Sequence, residues 1–315
     1  MIVTVTLNPS VDISYQVDNL KMDDVNRVEN VGKTAGGKGL NVTRVVDLLD
    51  SQVLATGILG GTLGSFITGQ LAENTITQDF FEIEKESRNC IAILHDGQQT
   101  EILESGPTLT VEEGDGFLNH FKNLLETNDV SVLTISGSLP KGLSADIYKK
   151  IITLANEKNI PVVLDTSGST LAAVLDDHSL KITAIKPNFD ELSALENVKI
   201  GDNPEDWKRI LNGPRFKNVE WIIISMGADG AFAKHNDRFY QVEIPKIKVI
   251  NPVGSGDSTV AGIAVSLESK DSDEKLLKTA MTTGMLNTME AQTGFINPEN
   301  FDEYYAKVIV TELTD

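Results

Sequence analysis

Short apolar runs rich in β-branched residues recur along the chain, and segments with apolar residues three or four positions apart lie between them. The runs cover residues 2–6, 53–58, 132–135, 161–164, 184–185 and 221–225. Runs of this length without polar alternation are typical of parallel strands buried on both faces. The intervening segments predict helices over residues 39–49, 64–71, 116–125, 144–156 and 204–211. This alternation predicts an α/β fold, a doubly wound and mostly parallel sheet flanked by helices.

Two stretches interrupt the alternation with further β-type segments. These segments are residues 13–17, 28–33, 88–94 and 100–104. The last two are joined by Asp96-Gly97, a pair suited to a tight hairpin because both residue types adopt positive φ readily. We therefore predict one domain over residues 1–315, with a small discontinuous β-sheet lid formed by about residues 12–35 and 88–105.

Composition limits the partners of the chain. The 46 acidic and 27 basic residues give a net charge of -19, which repels polyanions and argues against a nucleic-acid partner. Small phosphates still bind where backbone N–H groups and a few cations converge.

The single cysteine, Cys90, excludes an internal disulfide. No apolar run reaches the roughly 18 residues of a membrane span, and the first residues lack a targeting pattern, so we expect a cytoplasmic protein without a membrane partner.

A glycine-rich loop leading into an apolar-periodic helix is the most informative motif. It covers residues 251–262, NPVGSGDSTVAG. Gly254 and Gly256 let the backbone approach a ligand closely, and free N–H groups at a helix N-terminus favour an anion. Asp257 fits two roles, an N-cap worth about 1 kcal/mol or a general base worth about 10²- to 10⁴-fold in rate. This motif alone leaves both roles open.

A second glycine cluster, TAGGKGLN at residues 34–41, lacks the order of a Walker A loop because Lys38 is followed by glycine. Its glycines and Asn41 suit hydrogen bonds to sugar hydroxyls, or a plain tight turn. Asp12 follows the first predicted strand, at the carboxyl end where open α/β sheets bind ligands. A carboxylate there suits two adjacent hydroxyls, although aspartate is also common in turns.

Several basic residues are candidates for binding a substrate phosphate. Arg27, Arg88 and Lys38 have suitable side chains, since guanidinium groups match phosphate oxygens bidentately, although each alone is also typical of a solvated surface. The segments at residues 186–191 and 225–230 each follow a predicted strand. The first favours either Mg²⁺ ordered through water by Glu191 or a capping box, and the second favours either a nucleotide site or a hairpin.

The two glycine motifs, in this order and with Asn41 and Asp257, resemble those of the ribokinase-like sugar kinase family of the phosphofructokinase B type. Residues 6–12 and 34–44 resemble the branch that acts on ketohexose phosphates. The resemblance covers essentially the whole chain. It implies an ATP-dependent kinase that uses Mg²⁺ with ATP, binds a ketohexose phosphate and forms a homodimer through the lid sheet.

The resemblance also implies roles for individual residues. Together with Lys38, the residues expected to bind the acceptor are Asp12, Arg27, Gly37, Asn41, Arg88 and Ser138, with Arg27, Arg88 and Ser138 at its phosphate. The amides of Gly254, Ser255 and Gly256 would form an anion hole beside the base Asp257. The expected ATP site comprises Lys186, Asn188, Ser225, Gly227, Gly230 and Asn287, with Glu191 holding Mg²⁺ indirectly.

The expected acceptor is D-tagatose 6-phosphate, which would become the 1,6-bisphosphate. Fructose 1-phosphate is the alternative acceptor, since ketohexose phosphates differ at single carbon centres and one hydroxyl contact gives modest discrimination unless it is buried. A sugar-phosphate sensor without catalysis is the alternative from another class. The unaltered loop from Gly254 to Asp257 argues against that sensor.

Overall fold

The computed structural model describes residues 1–74, 76–198, 200–201 and 203–313. Its strands are β1 (Ile2–Thr6), β2 (Ser10–Gln16), β3 (Val31–Gly36), β4 (Val53–Gly60), β5 (Thr77–Gln78), β6 (Phe81–Ile83), β7 (Arg88–His95), β8 (Gln98–Leu103), β9 (Val132–Ser136), β10 (Val162–Asp165), β11 (Ile182–Ile185), β12 (Val219–Ser225), β13 (Ala231–His235), β14 (Arg238–Glu243) and β15 (Ile309–Leu313). Its helices are α1 (Lys38–Leu48), α2 (Gly61–Glu73), α3 (Val111–Thr127), α4 (Asp146–Glu157), α5 (Gly168–Leu175), α6 (Phe189–Glu196), α7 (Pro204–Leu211), α8 (Ser255–Glu268), α9 (Asp273–Thr288) and α10 (Phe301–Tyr305).

The larger sheet has the strand order β15-β14-β13-β12-β11-β10-β9-β1-β4-β5, with β6 also paired to β4. All pairs from β12 to β5 are parallel, whereas β12 to β15 are joined in antiparallel pairs. The predicted α/β class is therefore confirmed. Of the antiparallel strands β13, β14 and β15, the sequence pattern predicted only β13, as the second strand of a hairpin after β12.

Both faces of this sheet are covered by helices, which explains its continuous apolar runs. Along β1, Ile2 belongs to the hydrophobic core that includes residues of α1, α8 and α9, whereas its neighbour Val3 belongs to the core on the opposite face, which includes residues of α3 and α4. Successive side chains of a strand point to opposite faces, so each strand serves both cores. This packing leaves the carboxyl ends of the central strands facing one side of the domain.

The lid is a separate four-stranded sheet with the order β3-β2-β7-β8. Its hairpin turns at Asp96 and Gly97, with φ values of 49° and 72°. The predicted strand at residues 28–33 was displaced, because pairing with β2 begins only at Val31. Parallel pairing of β2 with β7 places Ser10 opposite Arg88, so both segments leave the main domain at one place.

Candidate active site

A cleft of about 720 Å³ opens between the lid and the carboxyl ends of β1, β9 and β10. Its lining includes Thr6, Asn8, Lys38, Arg88 and Ser138. The hydroxyl oxygen of Thr6 and the amide oxygen of Asn8 are buried without a hydrogen-bond partner among the described residues. A buried polar atom normally has a partner, so this wall of the cleft has hydrogen-bonding capacity for a polar ligand.

Asp257 lies at the N-terminus of α8 and is 6% exposed. Gly254 precedes the helix with φ of 85°, a left-handed conformation that turns the chain into the first helical turn. Within the described part of the chain, no backbone carbonyl accepts a hydrogen bond from the N–H of Gly256 or of Asp257. The loop therefore presents backbone donors beside the carboxylate, an arrangement suited to a negatively charged group.

Asn41 connects the second glycine motif to this carboxylate. Its Nδ2 donates to Oδ2 of Asp257 at 2.7 Å, across 216 positions of sequence. Asn41 is 5% exposed and lies in the first turn of α1, which begins immediately after Gly37. The structure thus brings the two glycine motifs together at one point.

The environment of Asp257 raises the pKa of its carboxyl group to about 6. Burial is the main cause, and the negative charge of Asp165 adds to it. The cations Lys38 and Lys186 and the hydrogen bond from Asn41 act in the opposite direction. A carboxyl group with this pKa is ionised at neutral pH and remains a better proton acceptor than an ordinary aspartate.

Two lysines lie beside this carboxylate. Nζ of Lys38 is 3.4 Å from Oδ2 of Asp165, the last residue of β10. Lys186 follows β11 and is 7% exposed. A Cβ atom built on Gly256 would lie 3.0 Å from Nζ of Lys186, so this ammonium group lies close to the backbone of the loop.

Asp12 lies in β2 at the base of the lid. Its Oδ1 accepts a hydrogen bond of 2.6 Å from Oγ of Ser10. Burial raises the pKa of Asp12, and the charges of Arg44 and Arg88 oppose that shift. Its role as a contact for sugar hydroxyls stays a prediction.

The predicted phosphate-binding residues are only partly brought together. Arg88 and Ser138 both line the cleft. Nε of Arg88 donates to the carbonyl of Asn8 at 3.1 Å, and Nη1 donates to the carbonyl of Glu104 at 2.9 Å. Arg27 is exposed in the irregular segment between β2 and β3, so its place at the phosphate stays a prediction.

The predicted ATP-side segments lie next to each other. Asn188 forms an isolated parallel bridge with Ser225. Gly227 and Gly230 form the turn between β12 and β13, with φ values of 57° and 86°. Asn188 and Glu191 form a reciprocal capping box at the start of α6, so that interpretation of the segment is confirmed. Binding of ATP and of Mg²⁺ by these residues stays a prediction.

Asn287 supports the glycine loop from below. It is 0% exposed, and its Oδ1 accepts from Oγ of Ser258 and from the N–H of Gly294. Its Nδ2 donates to the carbonyl of Val253 at 2.9 Å. In this arrangement the side chain holds the loop in place, and a direct contact with ATP stays a prediction.

Two residues of the site were not predicted from the sequence. Asp165 ends a strand on the ligand-binding side of the sheet, and that position was the available signal. Arg44 lies three residues after Asn41 on the same helix, and its Nη2 donates to Oδ1 of Asn41. Spacing on a helix was the signal for Arg44.

Comparison with known proteins decides the family. The sequence profile of the pfkB family carbohydrate kinases matches residues 5–300. The chain belongs to the pfkB family of carbohydrate kinases. The prediction of a ribokinase-like kinase is therefore confirmed.

Individual relatives are similar to this pfkB family chain over nearly its whole length. Tagatose-6-phosphate kinase from Staphylococcus epidermidis is 54% identical over 313 residues, which is 99% of this chain and 100% of the relative. The structure of phosphofructokinase-2 from Escherichia coli with potassium has a TM-score of 0.88 at 26% identity, covering 97% and 98% of the two chains. The same enzyme in complex with substrates and products gives a TM-score of 0.87 at 27% identity, with the same coverage.

Acidic, histidine and cysteine side chains are the residues that could hold the cation accompanying ATP. Within the described residues, no group of three or more histidine, cysteine, aspartate or glutamate side chains is placed to hold a metal. Mg²⁺ typically keeps several waters and binds through substrate phosphates with one or two carboxylates. Glu191 is the residue expected to take such an indirect role, and that role stays a prediction.

Among the described residues, no helix is both long and apolar enough to cross a membrane.

Proposed function

We propose that this kinase transfers the γ-phosphoryl group of ATP to the 1-hydroxyl of D-tagatose 6-phosphate, giving D-tagatose 1,6-bisphosphate and ADP. The observation that carries the choice of acceptor is the 54% identity to the tagatose-6-phosphate kinase of Staphylococcus epidermidis over 99% of the chain. The chemistry is supported by the geometry around Asp257. We expect the enzyme to act in the cytoplasm.

Asp257 is the proposed general base. Its carboxylate accepts the proton of the 1-hydroxyl while that oxygen forms a bond to the γ-phosphorus. The bond between the γ-phosphorus and the bridging oxygen to the β-phosphate breaks, and ADP leaves with that electron pair. Phosphoryl transfer of this kind depends mainly on positioning and charge stabilisation. The buried carboxylate and its hydrogen bond from Asn41 support this assignment.

The negative charge of the transferring group requires donors and cations. The proposed anion hole comprises the N–H groups of Gly254, Ser255 and Gly256. In the described chain the N–H of Ser255 donates to the carbonyl of Pro252 at 3.4 Å, whereas those of Gly254 and Gly256 have no backbone acceptor. Lys186 approaches Gly256, and Lys38 lies at the same end of the sheet. Mg²⁺ bound to ATP supplies further neutralisation of the phosphate oxygens.

The acceptor is proposed to lie in the cleft under the lid. Arg88 and Ser138, which line the cleft, would bind its 6-phosphate. Asp12, Gly37 and Asn41 are outside the lining of the cleft, next to the lining residue Lys38 in α1 or in the adjoining strand β2, and would bind its hydroxyl groups where the sugar extends toward Asp257. The cleft, at about 720 Å³, has ample room for a ketohexose phosphate, and Arg88 and Ser138 both line it. Arg27 would complete the phosphate site when the segment between β2 and β3 folds over the ligand.

The lid is also the proposed contact between two copies of the chain. It carries exposed apolar side chains at Val25, Val31 and Ile102, which are 66%, 45% and 54% exposed. Val31 and Ile102 lie on the two edge strands β3 and β8, and Val25 lies in the segment between β2 and β3. Exposed apolar side chains on one part of a surface are typical of an interaction surface. A homodimer in which the two lid sheets meet would cover them.

The test is a coupled ADP-release assay with Mg·ATP on the purified protein. It compares kcat/KM for tagatose 6-phosphate, fructose 6-phosphate and fructose 1-phosphate. The proposal expects the highest value for tagatose 6-phosphate, with turnover of about 1 to 100 per second. A preference for fructose 1-phosphate would show that this compound, and not tagatose 6-phosphate, is the acceptor. No turnover with any of the three would overturn the proposal.

A further inference from the structure

The guanidinium group of Arg44 joins three separate segments beneath the cleft. Nη1 donates to the carbonyl of Ala35 at the end of β3. Nη2 donates to Oδ1 of Asn41 and, at 3.3 Å, to the carbonyl of Thr293. Nε lies 3.4 Å from the carbonyl oxygen of Gly294. One side chain therefore connects the lid, the acceptor-binding helix α1 and the loop after α9.

The contact with Asn41 determines how that amide is oriented. A guanidinium group has donors only, so the atom of Asn41 that faces Arg44 must be the amide oxygen. The other side of the amide, Nδ2, then faces Oδ2 of Asp257 and donates to it. If the amide were reversed, two donors would face each other at Arg44 and two acceptors would face each other at Asp257.

We propose that Arg44 is a positioning residue for phosphoryl transfer, because it fixes the amide of Asn41 with its N–H group directed at the carboxylate of Asp257. The inference rests on the proposed function, in which Asp257 is the general base. Arg44 acts through Asn41 and is not assigned a contact with either substrate.

The charges around Asp257 give the direction of the effect. Asp257 faces the carboxylate of Asp165, the ammonium groups of Lys38 and Lys186, and the amide of Asn41. Arg44 interacts electrostatically with Asp257 as well. Loss of Arg44 removes a positive charge and frees the amide to turn its oxygen toward the base, and both changes raise the pKa of Asp257.

Arg44 also packs against the loop that backs the anion hole, which provides a purely structural alternative. A Cβ atom built on Gly294 would lie 2.8 Å from Nη2 of Arg44, and one built on Gly254 would lie 2.7 Å from a methyl carbon of Thr293. Loosening this loop would lower turnover without any effect on the ionisation of Asp257. The pH profile therefore separates positioning of the base from support of the loop.

The experiment measures kcat against pH for the parent enzyme, Arg44→Met, Arg44→Lys and the control Arg215→Met. Arg215 donates to Asp176 and Glu196 outside the cleft, so its substitution removes a similarly engaged guanidinium elsewhere. For Arg44→Met we expect kcat to be at least about tenfold lower than in the parent. The acid limb, the pH region in which kcat falls as the base becomes protonated, should lie about half a pH unit or more higher. Arg44→Lys keeps the charge but loses the forked donor geometry, so its acid limb should lie between that of the parent and that of Arg44→Met. Arg215→Met should retain the parent profile.

A double-mutant cycle tests whether Arg44 acts through Asn41. Once the amide is removed in Asn41→Ala, adding Arg44→Lys should change kcat and the acid limb much less than Arg44→Lys does in the parent. Fully additive effects would overturn the inference. So would an acid limb in both Arg44 variants that coincides with the parent limb.

The outcome for Arg44 is distinguishable from failure of the proposed function. If the parent enzyme shows no turnover with any of the ketohexose phosphates, the proposed function fails before the variants are compared. If the parent turns over and its acid limb disappears in Asp257→Asn but stays unmoved in the Arg44 variants, only the inference about Arg44 fails.

Discussion

Lys38 and Asp165 form an ion pair beside Asp257, with 3.4 Å between Nζ and Oδ2. The two partners act on Asp257 in opposite directions, because the carboxylate of Asp165 raises the pKa of Asp257 and the ammonium group of Lys38 lowers it. The pair therefore modulates the pKa that burial has already raised, and with it the pH range in which the proposed base is ionised.

The pH dependence of kcat/KM follows from this arrangement, because kcat/KM reports ionisations of the free enzyme. The pKa of Asp257 is raised to about 6, so kcat/KM should fall as pH decreases through that value and the base becomes protonated. Asp165→Asn should move this limb to lower pH, and Lys38→Met should move it to higher pH. Coupled assays across the range test this, and a shift in the same direction for both variants would contradict it.

Substitution of Asp257→Asn should remove the proton acceptor while keeping the shape of the site. We expect kcat to fall by about 10²- to 10⁴-fold, with binding of ATP and sugar phosphate retained in isothermal titration calorimetry. The matched control is Asp47→Asn on the exposed side of α1, which should keep parent activity. Turnover of Asp257→Asn close to the parent value would exclude Asp257 as the base.

The same substitution has a stability signature. Because the pKa of Asp257 is raised above its ordinary value of 3.8, this group favours the folded state most at low pH, and that contribution decreases as pH rises through about 6. An amide in place of this carboxyl group does not titrate and carries no such pH-dependent cost. The melting temperature of Asp257→Asn should therefore equal or exceed that of the parent at neutral pH, and a clear decrease would contradict the assigned shift.

The glycine loop should tolerate a methyl group at neither of its two glycines. Gly254→Ala places a side chain at φ of 85° and against Thr293, which costs about 1–3 kcal/mol of stability. Gly256→Ala places a methyl group 3.0 Å from Nζ of Lys186, so we expect lower kcat. Urea unfolding and steady-state kinetics measure the two effects. Gly69→Ala, in open space on α2, is the control and should be neutral or stabilising.

Helices α8 and α9 pack closely at Gly262. A Cβ atom there would lie 2.8 Å from Cα of Ala280 and 2.9 Å from the carbonyl oxygen of Thr279. Gly262→Ala should therefore separate the two helices and cost about 1–3 kcal/mol in the free energy of unfolding, measured with urea. The Gly69→Ala variant again provides the comparison, and equal stability of the two variants would show that the helices adjust freely.

The proposed dimer predicts a change in mass when the lid surface is made polar. Ile102 lies on β8 and is 54% exposed. Ile102→Asp should convert a dimer to a monomer, measured by light scattering after size-exclusion chromatography, because a buried unpaired charge opposes association. Ile309→Asp, at a side chain on β15 that is 56% exposed, should leave the mass unchanged. A parent protein that is already monomeric would exclude this dimer.

Local patterns predicted much of the fold and the two glycine motifs of the site. Residues 2–6 were predicted as a strand and form β1, because a continuous apolar run suits a strand covered on both faces. The edge strand β15 was missed, since its mixed sequence, IVTEL, becomes a strand through pairing with β14. Arg44 and Asp165 were also missed. Helix spacing places Arg44 beside Asn41, and Asp165 ends a strand on the ligand-binding side. The contacts of Arg44 with Thr293 and Gly294, and the effect of Asp165 on Asp257, join segments far apart in sequence, so local patterns do not reveal them.

The residues proposed to bind the acceptor lie at the base of the lid, whereas its hairpin turn lies at the far end of the same sheet. Ser10 and Arg88 are paired where β2 and β7 leave the main domain, and Asp12 lies only two residues further along. In a rotation of the lid about this base, these residues would lie close to the axis and move little. The hairpin tip, Asp96 and Gly97, would lie far from the axis and move most. Such a rotation would move the tip over a long arc and change the access of water to the cleft, while the groups proposed to bind the acceptor would keep nearly fixed positions.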